Sequence, residues 1–349
     1  MSVSFCVNTR VLQHQLTGVQ RFVRCVLAHL PPAEQLCPSK RHAGPLAHIW
    51  EQVILPFQLH SRLLWSPVPS GPLTVRRQVV TVHDLVPLDN PEWLAPGFAA
   101  WYRFMIPQLL ARSQHIIAIS EFTKHRIVKR LNMDPDKISV VSNGVDKRFD
   151  PNTRYRVPEI ATNLGLPSTH YILALGSVEP RKNLLRLLEA WQKVVAKLPR
   201  SLWLVIAGGA GKKNVFHPVE FSEVPDRVYW TGYVPDNYLP GLYAGADLFV
   251  YPSLYEGFGL PVLEAMASGC PVICSNAGAL AEVAANAAQF IDPFDSNDIG
   301  QAIFMLSSNR TLCRKMQDHG LRQASRFSWA TTAQQTLHIL QTEASKSEC

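Results

Sequence analysis

Glu256 and Glu264 lie in the run Tyr255-Glu256-Gly257-Phe258-Gly259-Leu260-Pro261-Val262-Leu263-Glu264-Ala265-Met266-Ala267-Ser268-Gly269. Pro261 suits the first turn of a helix and Gly269 the position just past its end. Gly257 and Gly259 let bare backbone N–H groups approach a ligand at that helix N-terminus, with Phe258 and Leu260 contributing main chain beside them. Glu256, in the preceding loop, is placed to accept from sugar hydroxyls. Glu264 falls about one turn into the helix, facing the same cleft, and an acid in so apolar a helix argues for a specific polar duty.

Further chemistry follows other strands, as expected of open parallel sheets, whose ligands lie beyond the carboxyl ends of the strands. After a strand at Tyr171–Leu175 comes Gly176-Ser177-Val178-Glu179-Pro180-Arg181-Lys182-Asn183, which puts Arg181 and Lys182 just ahead of a helix. Helix dipole and cations together suit a diphosphate; taken alone, the segment reads equally well as surface cations at a helix start. Strand Val79–Val82 ends in His83-Asp84, where the imidazole can donate to a phosphate or sugar oxygen, hold a proton near neutral pH, or serve the structure. Strand Ile138–Val141 runs into Ser142-Asn143-Gly144-Val145-Asp146, a turn that either shapes a cleft floor or ends the strand.

The elements that must position these residues alternate between short β-branched runs and longer helical patterns, which argues for parallel sheets with helical crossovers. The first half reads as strands Val3–Val7, Val79–Val82, Ile116–Ile119 and Ile138–Val141, with helices Gly18–Leu30, Pro96–Ala111 and Glu121–Leu131, the last capped by Ser120. Pro31–Pro72 is dense in proline and yields no clear strand. A change of composition at Asp150–Ser168 reads as a linker. Beyond it come strands Tyr171–Leu175, Leu202–Ala207, Val228–Thr231, Leu248–Tyr251, Val272–Cys274 and Gln289–Ile291, with helices Asn183–Leu198 and Leu260–Ser268. A closing helix, Trp329–Gln341, is able to pack back on either half.

With 349 residues, 47% hydrophobic and 17% charged, the chain has the make-up of a packed protein of two ordinary domains. The net charge of +7 lies wholly in residues 1–150, which hold 17 Lys/Arg against 10 Asp/Glu. That excess reads as a solvated basic surface or as attraction to an anionic membrane or a phosphate-bearing acceptor. Nucleic acid is not expected, since no recognition module accompanies the charge. No apolar run is long enough to span a bilayer and Met1–Cys25 lacks the features of a signal peptide, so a cytoplasmic protein is expected. The seven cysteines form no C-x-x-C pair and read as reduced thiols. A nicotinamide dehydrogenase is disfavoured, because Gly208-Gly209-Ala210-Gly211 follows the wrong strand and lacks the last glycine.

The pattern Glu-Gly-Phe-Gly-Leu-Pro-x-x-Glu-Ala-Met-Ala-x-Gly, together with Glu-Pro-Arg-Lys-Asn, His83-Asp84, Ser142-Asn143-Gly144-Val145-Asp146 and Thr17-Gly18-Val19 in that family's order, resembles retaining glycosyltransferase family 4. The resemblance covers nearly the whole chain. It implies an α/β GT-B fold of two Rossmann-like domains facing a central cleft, here residues 1–155 on the acceptor side and 156–328 on the nucleotide-sugar side, with 329–349 a helix packing back on the N-terminal domain. It further implies that Arg181 and Lys182 hold the donor diphosphate, that Glu264 holds the ribose, and that Glu256 with the backbone of Gly257, Phe258, Gly259 and Leu260 contacts sugar and phosphate. Tyr233 and Val234 match the place of the base, Gly18 leaves room for the diphosphate, Asn143 and Gly144 join the donor site, and His83 sits at the reacting centre.

Many members carry Gly-Arg where this chain has Gly176-Ser177, so the resemblance shifts that arginine's part to Arg181. The implied reaction is front-face displacement without a metal or other cofactor, the leaving diphosphate being stabilised by cations and a helix end. Segments His48-Ile49-Trp50-Glu51-Gln52 and Leu63-Leu64-Trp65-Ser66-Pro67 resemble bacterial enzymes that build lipid-linked surface polysaccharides. The expected partners are therefore a nucleotide diphosphate sugar and a lipid-linked saccharide, mannose from GDP-mannose being the first choice, with peripheral association at the inner face of the membrane. A nucleotide-sugar epimerase of the same architecture and a non-catalytic sugar-nucleotide-binding protein remain the alternatives.

Overall fold

The computed structural model describes residues 5–13, 17–39, 45–209, 215–216 and 224–346. Val3 and Ser4 of the first expected strand, and Ala210 and Gly211 of the glycine run, lie outside the described residues. The chain divides into two compact units, the first made of Met1–Asp89, Ala99–Gly144 and Ser328–Cys349, the second of Asn90–Phe98 and Val145–Phe327. Residues 145–155 therefore go with the second unit, and so does the segment 90–98, which composition did not separate from its surroundings.

The first unit holds a six-stranded parallel sheet, β1 Phe5–Asn8, β2 Glu34–Leu36, β3 Leu63–Ser66, β4 Gln78–Val82, β5 His115–Ala118 and β6 Ile138–Val140. Its order is β2-β1-β3-β4-β5-β6. β1, β3, β4 and β5 are buried along their whole length, as expected of strands covered on both faces, which is why they read as apolar runs. β2 and β3 fall inside the proline-dense stretch Pro31–Pro72 that gave no strand signal. The helix Gly18–His29 buries Phe22, Val23 and Val26, and its start is fixed by the Thr17 N–H donating to Gln20 Oε1 at 3.0 Å. Ser120 caps Glu121–Leu131 as the sequence indicates, its Oγ accepting from the Thr123 N–H at 3.0 Å.

The helix Trp329–Ser345 belongs to this unit and lies against Gly18–His29. Thr332 Oγ1 donates to the Ser142 carbonyl at 2.7 Å and Gln114 Nε2 to the Glu343 carbonyl at 2.8 Å, fastening the helix to the sheet's loops.

The second unit holds β7 Tyr171–Leu175, β8 Trp203–Ala207, β9 Val228–Gly232, β10 Leu248–Tyr251, β11 Val272–Ser275 and β12 Ala288–Ile291, all parallel, in the order β12-β11-β10-β7-β8-β9. The expected linker is helical: a 3₁₀ segment Pro151–Arg156 runs into the helix Val157–Leu164, which buries Val157 and Ile160. It packs so closely on Leu239–Gly245 that a Cβ on Gly241 would stand 2.5 Å from Ile160 Cδ1.

In each sheet the strand order reverses at one place: between β1 and β3 in the first, between β7 and β10 in the second. Neighbouring crossovers leave the sheet there in opposite directions, and the crevice they open at the strands' carboxyl ends is where doubly wound folds bind ligands.

Candidate functional site

At the β7/β10 switch point, the loop after β7 carries Glu179, Arg181 and Lys182 and the loop after β10 carries Ser253 and Glu256. Pro180–Lys182 forms a 3₁₀ turn, Asn183 takes φ 59°, and the helix runs from Leu184 to Val194, shorter at both ends than the expected Asn183–Leu198. The left-handed Asn183 is held by its own side chain, whose Nδ2 donates to the carbonyls of Pro252 at 3.0 Å and Pro293 at 2.7 Å. This turn brings both cations back over the end of β10.

Lys182 Nζ donates to Glu256 Oε1 at 2.7 Å and to the Tyr251 hydroxyl, and lies 4.8 Å from the centre of the Tyr251 ring. Arg181 Nη1 donates to Glu256 Oε2 at 3.0 Å. Oε1 also accepts from the Tyr251 hydroxyl at 2.8 Å and from Ser253 Oγ at 2.7 Å. Glu256 is thus a counter-ion to both cations. Burial by itself pushes its carboxyl up, but the charges of Lys182 and Arg181, with hydrogen bonds from Lys182 and Ser253, outweigh it and hold the pKa at about 2. Burial and the neighbouring Arg181 pull Lys182 below its ordinary range, against the opposing charges of Glu256 and Glu179.

A second carboxylate, Glu179, is 2% exposed; its Oε1 stands 2.8 Å from Arg181 Nε, yet neither of its oxygens accepts a hydrogen bond. Two carboxylates therefore face two cations. Gly176, at φ +156°, is shaped by Lys182: a Cβ there would come within 3.1 Å of the lysine's Cγ and Cδ.

The helix Leu260–Ala267 follows the loop of Glu256, with Gly259 at φ +109° in its N-cap and no side chain capping it. A Cβ on Gly259 would meet Leu280 Cδ2 at 2.4 Å, so glycine is demanded here by packing as well as by backbone angle. The loop is also pinned from outside. The Ala279 N–H donates to the Glu256 carbonyl at 2.9 Å, and a Cβ on Gly278 would collide with that carbonyl at 2.3 Å. Gly257 is buried and Leu260 half-buried, while the Phe258 ring packs edge-on against Phe327 at 5.9 Å, leaving only its main chain for a ligand. Glu264 is buried in the second turn of the helix and its Oε2 accepts from the Tyr243 hydroxyl at 3.2 Å. Tyr233, just after β9, is 59% exposed, whereas Val234 is buried.

In the first unit, His83 follows β4 and is buried. Its Nε2 lies 2.8 Å from the Pro67 carbonyl, which only accepts, so Nε2 carries the proton in the neutral ring. Burial pushes its pKa below the ordinary 6.5, against the bond to Pro67. Phe22 meets the imidazole edge-on at 4.8 Å and Trp329 at 6.1 Å, so the helix beginning at Gly18 reaches both. Gly18 itself is exposed. Asn143 is buried, with an Oδ1 that accepts no hydrogen bond. Gly144 has a packing reason of its own: a Cβ there would stand 2.2 Å from the backbone N of Trp329.

Sequence reasoning missed Tyr251, Ser253 and the partnership of Glu179. All follow or end a strand beside the motif residues, and the rule of reading strand ends already contained the signal for Ser253. It also missed a buried group in the first unit, Asn8, Arg10, Glu51 and Ser70, which three separate stretches of the chain supply.

Residues 20–149 match the family model described as Glycosyltransferase Family 4 and residues 158–323 the one described as Glycosyl transferases group 1. The chain is 32% identical over 269 residues to O-antigen chain mannosyltransferase B of Escherichia coli, covering 76% of this chain and 71% of that protein. It is 31% identical over 229 residues to O-antigen chain mannosyltransferase RfbU of Salmonella typhimurium, with coverage of 66% and 60%. Against the serotype-specific mannosyltransferase WbdA of Escherichia coli, 30% identical over 289 residues, it spans 35% of that longer protein. Among solved structures, a glycosyltransferase from Rickettsia africae superposes with a TM-score of 0.71 at 17% identity over 99% of this chain and 100% of the other. Anabaena Alr3699/HepE in complex with UDP-glucose gives 0.72 at 18% identity over 97% and 99%. These likenesses fix the fold as GT-B, and the chain belongs to the family 4 and group 1 glycosyltransferases.

Proposed function

We propose that the chain is a retaining hexosyltransferase that binds a nucleotide diphosphate sugar at the β7/β10 switch point and passes the hexose, mannose in the first instance, to a lipid-linked saccharide. The observation that carries this reading is the pairing of Arg181 and Lys182 with Glu256 beside the glycine-capped start of Leu260–Ala267. Cations, helix end and glycine backbone are the three things a diphosphate requires, and they converge here. A bound diphosphate competes with Glu256 for Lys182 and Arg181, which releases the carboxylate toward the sugar hydroxyls. As the sugar–phosphate bond breaks, the same cations and N–H groups stabilise the growing charge on the leaving group, which in front-face displacement also takes the acceptor's proton. Glu264 serves the ribose, Tyr233 and Val234 the base, Gly18, Asn143 and Gly144 the donor, and His83 the reacting centre. Mannose as the sugar and a saccharide chain as its acceptor are supported by relatives named O-antigen chain mannosyltransferases.

Thermal unfolding against GDP, UDP, ADP, CMP and their common sugars tests the donor, because a ligand of the folded state raises apparent stability. GDP and GDP-mannose are expected to raise it. A rise with another pair alone replaces the sugar, and no rise with any of them sinks the donor site.

Peripheral membrane association is part of the same reading. Among the described residues no helix is long and apolar enough to cross a membrane. Yet the helical run 45–58 turns Leu46, Ile49, Val53 and Phe57 to solvent at helical spacing, with Phe57 80% exposed, in the half of the chain that holds all the excess positive charge. Release from anionic vesicles at high salt is expected; equal binding to neutral vesicles overturns it.

A further inference from the structure

The β1/β3 switch point of the first unit is filled by a buried polar group to which no part in the reaction has been given above. Glu51, 1% exposed, comes up from the helical run 45–58 and accepts from Asn8 Nδ2 at 2.7 Å and Arg10 Nε at 3.3 Å on Oε1. On Oε2 it accepts from Arg10 Nη2 at 3.3 Å and from Ser70 Oγ. Arg10 Nη2 also donates to Ser70 Oγ at 2.9 Å. His48 Nδ1 stands 3.6 Å from the carboxylate, too far for a hydrogen bond. Burial pushes the Glu51 carboxyl up, but the nearby His48 ring, the charge of Arg10 and the hydrogen bonds from Ser70 and Asn8 hold it below the usual carboxylate range.

A buried ion pair of this kind adds little net stability over an apolar replacement, and its best-attested use is to fix one arrangement among several. What it fixes here can be followed along the chain. Asn8 ends β1 and Arg10 opens the 3₁₀ segment Arg10–Gln13, which is tied to the helix beginning at Gly18 by Gln20 Nε2 donating to the Val11 carbonyl at 3.4 Å. Ser70 lies in the loop after β3, where the Ser70 N–H donates to the Val68 carbonyl at 2.7 Å and Pro67 accepts from His83. The loop is tight: a Cβ on Gly71 would stand 2.8 Å from Ser66 Oγ. Glu51 is therefore the shared anchor of the segment Arg10–Gln13, to which Gln20 of the helix beginning at Gly18 is bonded, and of the loop that orients the His83 ring.

We propose that Glu51, through Arg10 and Asn8 on one side and Ser70 on the other, is the positioning residue of the acceptor-side unit, setting the place of Gly18 and the tautomer and orientation of His83. The inference rests on the reading of His83 at the reacting centre. Misplacing a group of this kind by an ångström costs on the order of a hundredfold in rate while leaving the donor's own contacts alone.

The test compares Ser70→Ala, which cuts one link, with Glu51→Gln, which weakens all of them, each followed by kinetics and by the imidazole nitrogen signals of the isotope-labelled protein, with His83→Gln to assign the signal. Ser70→Ala is expected to lower kcat about tenfold or more with the donor KM within about twofold of the parent, and to remove the single Nε2-protonated tautomer of His83. Glu51→Gln is expected to do the same more strongly. A folded Ser70→Ala protein with unchanged kcat and an unchanged His83 signal overturns the proposal even if Glu51→Gln fails to fold. If His83→Ala keeps full transfer while Ser70→Ala still alters the tautomer, the placement of His83 at the reacting centre is what fails, and the link from Glu51 to His83 stands.

Discussion

At the second sheet's switch point, Glu256 is buried against Lys182 and Arg181; at the first sheet's, Glu51 is buried against Arg10. Both carboxylates are ringed by hydroxyl or amide donors, and both titrate below their usual range. The difference lies in what surrounds them. Glu256 shares its cations with a second carboxylate and sits beside a helix end without a side-chain cap, so a stronger anion has something to take over. Glu51 has its partners drawn from the ends of two strands, and its bonds tie the helical run 45–58 to the end of β1 and to the loop after β3. On the proposed reading, similar chemistry serves as an exchangeable counter-ion in one unit and as a clamp in the other.

The largest effect expected from breaking this comparison is on Lys182. Lys182→Ala should reduce transfer by about a hundredfold or more, since it removes a charge that stabilises the leaving group, and should abolish the thermal shift given by the nucleoside diphosphate. Arg10→Ala should act oppositely. It leaves Glu51 buried without its cation and weakens the fold by about 3 kcal/mol, yet the nucleoside diphosphate should still raise the melting temperature of what remains folded. Denaturant titrations with and without the diphosphate check both, and equal loss of binding in the two variants removes the distinction.

Acid titration of stability sharpens it further. The Glu256 pKa is depressed in the folded protein, so its contribution is whole above the ordinary 4.5 and is lost as pH falls toward about 2. Glu256→Gln should flatten that limb of the profile. A smaller limb is expected at higher pH from His83, whose pKa is also lowered by burial. Its contribution is complete above 6.5 and declines as pH falls, because the unfolded chain takes up the proton first. His83→Gln, whose amide can still donate to Pro67, should remove that limb while changing neutral-pH stability by no more than about 1 kcal/mol; a limb that persists assigns it elsewhere.

How much was legible depended on sequence distance. Arg181 and Lys182 lie in one run, Glu256 and Gly259 in another, and each run carries its own turn chemistry, so residue types and spacing sufficed to nominate them. Ser120 as a cap was legible for the same reason. β2 and β3 were not, because their short strands sit among prolines that mask the pattern. Gly144 reads from sequence as part of a turn that either shapes a cleft floor or ends the strand, and nothing local reveals that the backbone of Trp329 lies against it. The Glu51 group was silent because Arg10 and Asn8 come from 41 and 43 residues away.

The sequence by itself determined the alternation of strands and helices, the caps, and which polar side chains stand at the ends of strands, since these follow from periodicity and from backbone angles set by neighbours in the chain. Only the tertiary structure decided which charges meet. Lys182 finds Glu256 across 74 residues because β7 and β10 lie side by side at the place where the order of the sheet reverses. Glu51 finds Arg10 and Ser70 because β1 and β3 do the same in the other sheet. Strand order is fixed by packing summed over the whole unit, and no local stretch of residues carries it.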